Sequence, residues 1–374
     1  MKKVLLGTTA LVGLFAGTAF AQGPAVNVGG FIDFQAGFSD QDFDTTGATS
    51  RDVKFQNDTE VHVSVDGKSD NGLGYGAVIE LEADVTADGD GEGLNADKTY
   101  IFGEGGFGRV ELGNNVSAAD ALQVDAGTIA RATGGTDGDF YDYVNLTGVA
   151  GSGLPGGIAP DAKFIFSDDL PTAFQAGITE DATKITYYTP RFSGVQFGAS
   201  YTPDQGDGGT AAGFTGDNGT DYENVFNLGL NYTAQQGQVG IQASVTGEFA
   251  DNESAAMENL NAYALGLVLS YGSFSVAGSY GDWNDSFQAV GSTDDSDYWT
   301  LGGAYEQGPV GVSATYLNSD FAGNELDLLS LGADYQLAAG LVPYVEVNIF
   351  DADEAGTSVD NDGTVVLVGT ELTF

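Results

Sequence analysis

The chain has 374 residues, with 11 Lys and Arg against 54 Asp and Glu and a formal net charge of −43. That charge excludes a nucleic-acid partner, whose phosphates need cationic side chains, while a 42% hydrophobic content excludes a disordered polyanion. There is no Cys, hence no disulfide framework. Length allows either two or three soluble domains or one large barrel.

The first segment reads as a targeting signal. Lys2 and Lys3 form a basic start, residues 4–15 are apolar, and Ala19-Phe20-Ala21 is an A-x-A cleavage site. The expected division is a signal peptide over 1–21 and a mature protein from Gln22 to Phe374. A membrane anchor is the other reading of 1–21, but the apolar run is short for that and ends in small residues. No other run of about 20 apolar residues occurs, so no spanning helix is expected.

From there the pattern is a period of two, the mark of strands with two unlike faces. The first strand is read over 25–38. In 53–66, Val61, Val63 and Val65 share one face while Glu60, His62 and Ser64 share the other. Strands follow at 73–85, 99–104 and 109–116, then at 183–189, 195–201, 222–233, 239–249, 262–271, 274–283, 298–306, 310–318, 325–337 and 342–350. The chain closes on GTVVLVGTELTF, a strand running to Phe374. A terminal strand needs partners on both edges, and pairing with the first strand would supply the second. This makes about sixteen strands of roughly ten residues, the length a tilted membrane strand requires.

The connections sort by length. Short turns alternate with long acidic ones at 39–52, 86–97, 117–181, 203–221, 250–260, 284–297, 319–324 and 351–362. Short turns on one side and long loops on the other are expected of a membrane barrel and not of a soluble sandwich. The faces agree. Phe226, Leu228, Leu230 and Tyr232, or Leu265, Leu267, Leu269 and Tyr271, suit lipid; Asn227, Asn231, Ser244 and Thr246 suit a wet interior. Aromatics recur at strand ends (Phe192, Tyr201, Trp299, Tyr305), as interfacial girdles require. The expected fold is all-β: a transmembrane antiparallel β-barrel of about sixteen strands.

The sequence resembles the trimeric general porins of alphaproteobacteria. The likeness is carried by the A-x-A signal, by Val28-Gly29-Gly30-Phe31, by the hairpin ITYYTPRFSGVQFGASY from Ile185 to Tyr201, and by the terminal Phe374. Only the hairpin is locally distinctive; the rest is shared architecture over the mature chain. The resemblance implies a homotrimer, a third loop folded into the lumen, and an assembly signal at Phe374 read by the barrel-assembly machinery. The chain departs from the family in being poor in Lys and Arg, where the family has a basic cluster in its pore.

The third long connection, 117–181, is too long for a compact fold to hold without function. Ser117 and Asp120 have capping-box spacing before Ala121 and Leu122, which predicts a short helix. Asp120, Asp125, Asp137, Asp139 and Asp142 would then stand at a constriction, if the loop folds inward; a solvated external loop is the other reading. Alternation points Lys54, His62, Arg109 and Lys184 into the lumen as an opposing basic wall, with Lys98 ambiguous. Opposed signs across a narrow channel make a transverse field, though each base could instead form a local ion pair, Glu60 and Glu111 being the evident partners. Asp88, Asp90 and Glu92, with Gly93, resemble the start of a calcium loop that lacks its last ligand, so a structural calcium is one reading and a solvated acidic loop the other. No further cofactor is expected.

Catalysis finds little support. His62 is the sole His, and no GxSxG or P-loop is present. The expected function is a passive, cation-preferring channel for small hydrophilic solutes in the bacterial outer membrane. Its expected partners are lipid and lipopolysaccharide, with divalent ions bridging surface acids to phosphates. A substrate-selective channel, a barrel enzyme and a surface structural protein are the alternatives.

Overall fold

The structure is a computed structural model, and it describes residues 23–43, 52–83, 95–144, 182–205, 222–292, 295–353 and 360–374. Sixteen strands are formed: β1 (Ala25–Phe43), β2 (Val53–Lys68), β3 (Gly74–Glu82), β4 (Asn95–Gly105), β5 (Gly108–Asn114), β6 (Thr183–Tyr188), β7 (Val195–Asp204), β8 (Tyr222–Gln236), β9 (Val239–Asn252), β10 (Leu260–Tyr271), β11 (Phe274–Asn284), β12 (Ser296–Gln307), β13 (Val310–Phe321), β14 (Asn324–Tyr335), β15 (Leu341–Asp353) and β16 (Asp360–Thr373). Each pairs antiparallel with its sequence neighbours, and β1 pairs with β16 to close the barrel. At the seam Ile32 faces Leu372 and Phe34 faces Thr370. The main chain of Phe374 exchanges two hydrogen bonds with Gly30, at 3.1 and 3.0 Å. Closure removes every open edge. Among the described residues no helix is long and apolar enough to cross a membrane.

The short turns use glycine where the backbone demands it. Gly237, Gly272, Gly308 and Gly340 all have φ near +60 to +75°, a region that costs a residue with a Cβ. The outward face is the apolar one: Leu228, Leu230, Val245, Leu265, Leu267, Leu331 and Val345 are all exposed, and the alternating Asn227, Asn231, Ser244, Thr246, Ser330 and Asn348 are buried inside. That is the reverse of a soluble barrel.

Two features differ from the sequence reading. The connection expected as a long acidic loop at 319–324 is a two-residue turn, Ala322-Gly323, with β13 and β14 pairing up to Phe321 and Asn324. The strands extend through polar residues because their outward faces have left the apolar band: Asp320 faces Glu325 there. The interior is also not polar throughout. On the long-loop side of β8–β16 the inward residues Tyr222, Val225, Leu260, Trp283, Tyr298, Leu317, Phe321, Leu326, Leu328, Phe350, Val365 and Leu367 form one buried cluster, joined by Phe287, Phe140 and Tyr143.

Candidate functional site: the constricted lumen

The described part of the third loop, residues 117–144, runs along the inner wall, which holds much of it by its main chain. Ser117 caps the helix α1 (Ala118–Leu122), accepting from the Asp120 amide at 3.2 Å. The expected cap therefore forms. From there the loop meets the strands in order. Ala118 N donates to Ser200 Oγ on β7 at 2.8 Å, and Asn231 Nδ2 on β8 donates to the Leu122 carbonyl at 3.0 Å. Val124 N donates to Ser244 Oγ on β9 at 2.9 Å, Ala126 N to Thr300 Oγ1 on β12 at 3.2 Å, and Arg131 N to Ser313 Oγ on β13 at 2.9 Å. Thr133 N and Gly135 N both donate to Glu346 Oε2 on β15, at 3.2 and 3.3 Å. Inward Ser, Thr and Glu side chains thus satisfy an irregular backbone that lacks a ladder of its own.

Three inward glycines make room for it. A Cβ at Gly229 would lie 2.6 Å from the Ala118 carbonyl oxygen, one at Gly332 would lie 2.6 Å from that of Arg131, and one at Gly266 would overlap the Val124 carbonyl. Glycine inside a strand is costly alone; here it is the floor of a groove.

The strongest tether is Arg131. Its guanidinium grips Asp334 on β14 with Nε at 2.7 Å and Nη2 at 2.8 Å, and reaches Glu306 at 3.2 Å. Those bonds to Asp334 push its pKa above the usual guanidinium value. Near the end of the described part Tyr143 donates to Gln35 Oε1 on β1 at 2.9 Å. Burial, with Asp139 nearby, raises its phenol pKa, so it remains a donor.

The expected basic residues divide by role. Lys184, buried on β6, donates to the carbonyl of Asn115 where the loop begins. Lys54 on β2 donates to the carbonyl of Asp142 at 3.0 Å where the described part ends. Both act as clamps on the loop. Arg109 bonds Glu111 at 2.6 Å and Glu104 at 2.9 Å near the short-turn mouth, and its guanidinium stacks 3.9 Å from the Phe102 ring centroid. His62 bonds Glu60 at 2.6 Å. Lys98, ambiguous from sequence, bonds Glu80 at 2.7 Å and Asp97 at 2.9 Å. For Arg109 the local ion pair is the arrangement found, and for His62 a local hydrogen bond with Glu60.

The loop leaves a cavity of about 870 Å³ between itself and the wall built by β1–β4. Asp58, Glu60, His62, Glu80 and Lys98 line it from the wall, Asp120 and Gln123 from the loop, and Arg191 from the β6–β7 turn. Among the described residues, acids and bases thus stand together on the wall, with Asp120 facing them from the loop. Asp125 folds back to accept from the Thr128 amide at 2.9 Å. Asp139 is buried and accepts from Gln35 Nε2, and Asp142 accepts from Gln56 Nε2 at 2.7 Å. These loop carboxylates are engaged in holding the loop. Asp137 falls in the 3-10 turn Gly135–Asp137, and its side chain is outside the described residues, as are Asp88, Asp90 and Glu92. The ring of Phe374 is exposed on the outward face.

Arg131, Arg191 and Glu346 were not singled out by sequence. Arg131 carried one signal: a lone Arg early in a long acidic loop needs a carboxylate somewhere. The partner, 203 residues away, could not be read.

With this geometry in hand, comparison with known proteins is direct. The family model described as Gram-negative porin matches residues 7–355. Uncharacterized proteins of Rickettsia felis and Rickettsia conorii are 29% and 27% identical, each over the whole of both chains. Among solved structures, a mutant of the Rh. blastica porin superposes with a TM-score of 0.59 at 17% identity, covering 94% of this chain and all of that one; a Rhodopseudomonas blastica porin triple mutant gives 0.58 at 17%, with the same coverage. Those two establish the fold alone, the family model the membership: this chain belongs to the Gram-negative porins, multi-pass β-barrels of the outer membrane.

Proposed function

We propose that the protein is a passive diffusion channel for small hydrophilic solutes and ions, prefers cations, and has no catalytic activity. The observation that carries this reading is the 870 Å³ cavity between the third loop and the β1–β4 wall, edged by the four carboxylates of Asp58, Glu60, Glu80 and Asp120 against the two fixed cations Lys98 and Arg191. A passage of this kind sieves by width, and its excess of carboxylates concentrates cations and repels anions. The acid-rich sequence supports the same sign.

The mature chain starts at Gln22 after loss of residues 1–21 and works as a homotrimer, consistent with the resemblance noted above. The terminal strand, ending at Phe374, is the segment the barrel-assembly machinery reads. On the outward rim Asp327 faces Asp351, Asp351 faces Asp362, and Asp362 faces Asp42. Like charges directly opposed are unfavourable, which favours divalent ions bridging this rim to lipid and lipopolysaccharide phosphates.

Reversal potentials across a planar bilayer under a salt gradient test the reading. A cation-selective current is expected. An anion-selective current refutes the preference, no current at all refutes the channel, and block by micromolar solute marks a substrate-selective channel instead.

A further inference from the structure

On the pore wall three unlike ligands converge. Glu60 and His62 are two residues apart on β2 and so share its inward face; Glu80 on β3 is the cross-strand partner of His62, and Lys98 on β4 is the partner of Glu80. The candidate ligand atoms of Glu60, His62 and Glu80 all lie within 4.8 Å of one another. Their side chains are 13%, 24% and 19% exposed, sheltered yet open to the cavity they line. Each stands on a paired strand, so the backbone positions are fixed before any ligand arrives. The His62 ring is steadied by Phe31, edge-on at 6.2 Å.

We propose that Glu60, His62 and Glu80 bind a first-row transition-metal dication on the wall of the pore. One imidazole nitrogen and two carboxylate oxygens on one side, with water on the other, is a three-ligand set with open positions. In the metal-free state a proton joins His62 Nε2 to Glu60 Oε2 across 2.6 Å, and Lys98 occupies Glu80 at 2.7 Å. The dication takes the place of both. The Nε2 proton is displaced to Nδ1 from the neutral ring, or to water from the imidazolium, so that the bound ring is a neutral imidazole in either case, and the Lys98 ammonium keeps Asp97, which it already bonds at 2.9 Å. Nothing is oxidised or reduced. The imidazole selects zinc, nickel or copper over calcium and magnesium, which prefer oxygen alone. A dication fixed here also reduces the carboxylate excess at the passage, so the channel becomes metal-sensitive. That last step rests on the channel reading above; the binding does not.

The experiment uses the purified full-length protein, refolded in detergent, with zinc as probe. Equilibrium dialysis is expected to find one tight zinc site per chain, resistant to a hundredfold excess of calcium. His62→Asn and Glu80→Gln should each weaken it at least tenfold. His62 is the only His in the chain, so the first variant removes all imidazole; a second at the same position, His62→Gln, serves if the first does not fold. Zinc should lower the bilayer current of the natural protein and leave that of His62→Asn unaffected. Zinc binding that is equal in the natural protein and the foldable His62 variant overturns the proposal, as does full displacement by calcium. Zinc bound as expected by a protein that carries no current sustains the site and removes the channel.

Discussion

The inner wall has two unlike halves. From β1 to β5 it presents charge to water: Glu60, His62, Glu80 and Lys98 are partly exposed around an open cavity. From β10 to β16 its long-loop side is covered. The loop is fastened along its middle, and on the long-loop side Trp283, Tyr298, Phe321 and Leu328 are buried completely. One half carries the site while the other carries the core that a barrel normally lacks. The pore is therefore eccentric, set against the charged wall by what fills the opposite side.

Variants on the two halves should separate stability from permeation. The largest effect is expected on the filled side. Trp283→Ala opens a void among Tyr298, Phe321 and their neighbours and should cost about 3–5 kcal/mol, read as a lower denaturant midpoint. A change below about 1 kcal/mol would mean that the cluster is filler and the comparison fails. Next comes Glu346→Ala. The buried Glu346 accepts from the amides of Thr133 and Gly135 and from Thr133 Oγ1 at 2.8 Å. Losing it orphans those donors at about 1–3 kcal/mol and frees the loop, so single-channel conductance should rise and become noisy. The smallest stability change is expected on the open wall. Lys98→Gln removes two partly exposed ion pairs, with Glu80 and Asp97, and should shift stability by no more than about 1 kcal/mol, while reversal potentials move toward stronger cation preference. A stability loss there rivalling that of Trp283→Ala would erase the distinction between the halves.

How much of this was legible depended on periodicity. Every strand could be read because alternation is local: Leu265, Leu267 and Leu269 declare an outward face without reference to anything distant. The loop's inward course could only be weighed. Its tethers join Val124 to Ser244, 120 residues apart, and a single inward serine looks the same in sequence whether it holds a backbone amide or faces water. The glycines are visible in sequence, but nothing local marks Gly229 and Gly266 as lying beneath the loop. The inward apolar residues of β14, Leu326 and Leu328, were hidden by the equally apolar outward Leu329 and Leu331, which makes LLSL look like one continuous face. The acid-rich loop suggested where charge should sit, but Asp139 and Asp142 are engaged by Gln35 and Gln56, and the carboxylates left at the passage came mostly from strands read only for their pattern.

Because the wall grips much of the third loop through peptide groups, with Arg131, Thr133, Asp139, Asp142 and Tyr143 as the side-chain tethers, loop positions outside that set can be exchanged without removing the bonds that fix its route. A lineage carrying this scaffold could alter which solutes it admits one substitution at a time, with the barrel itself unaware of the change.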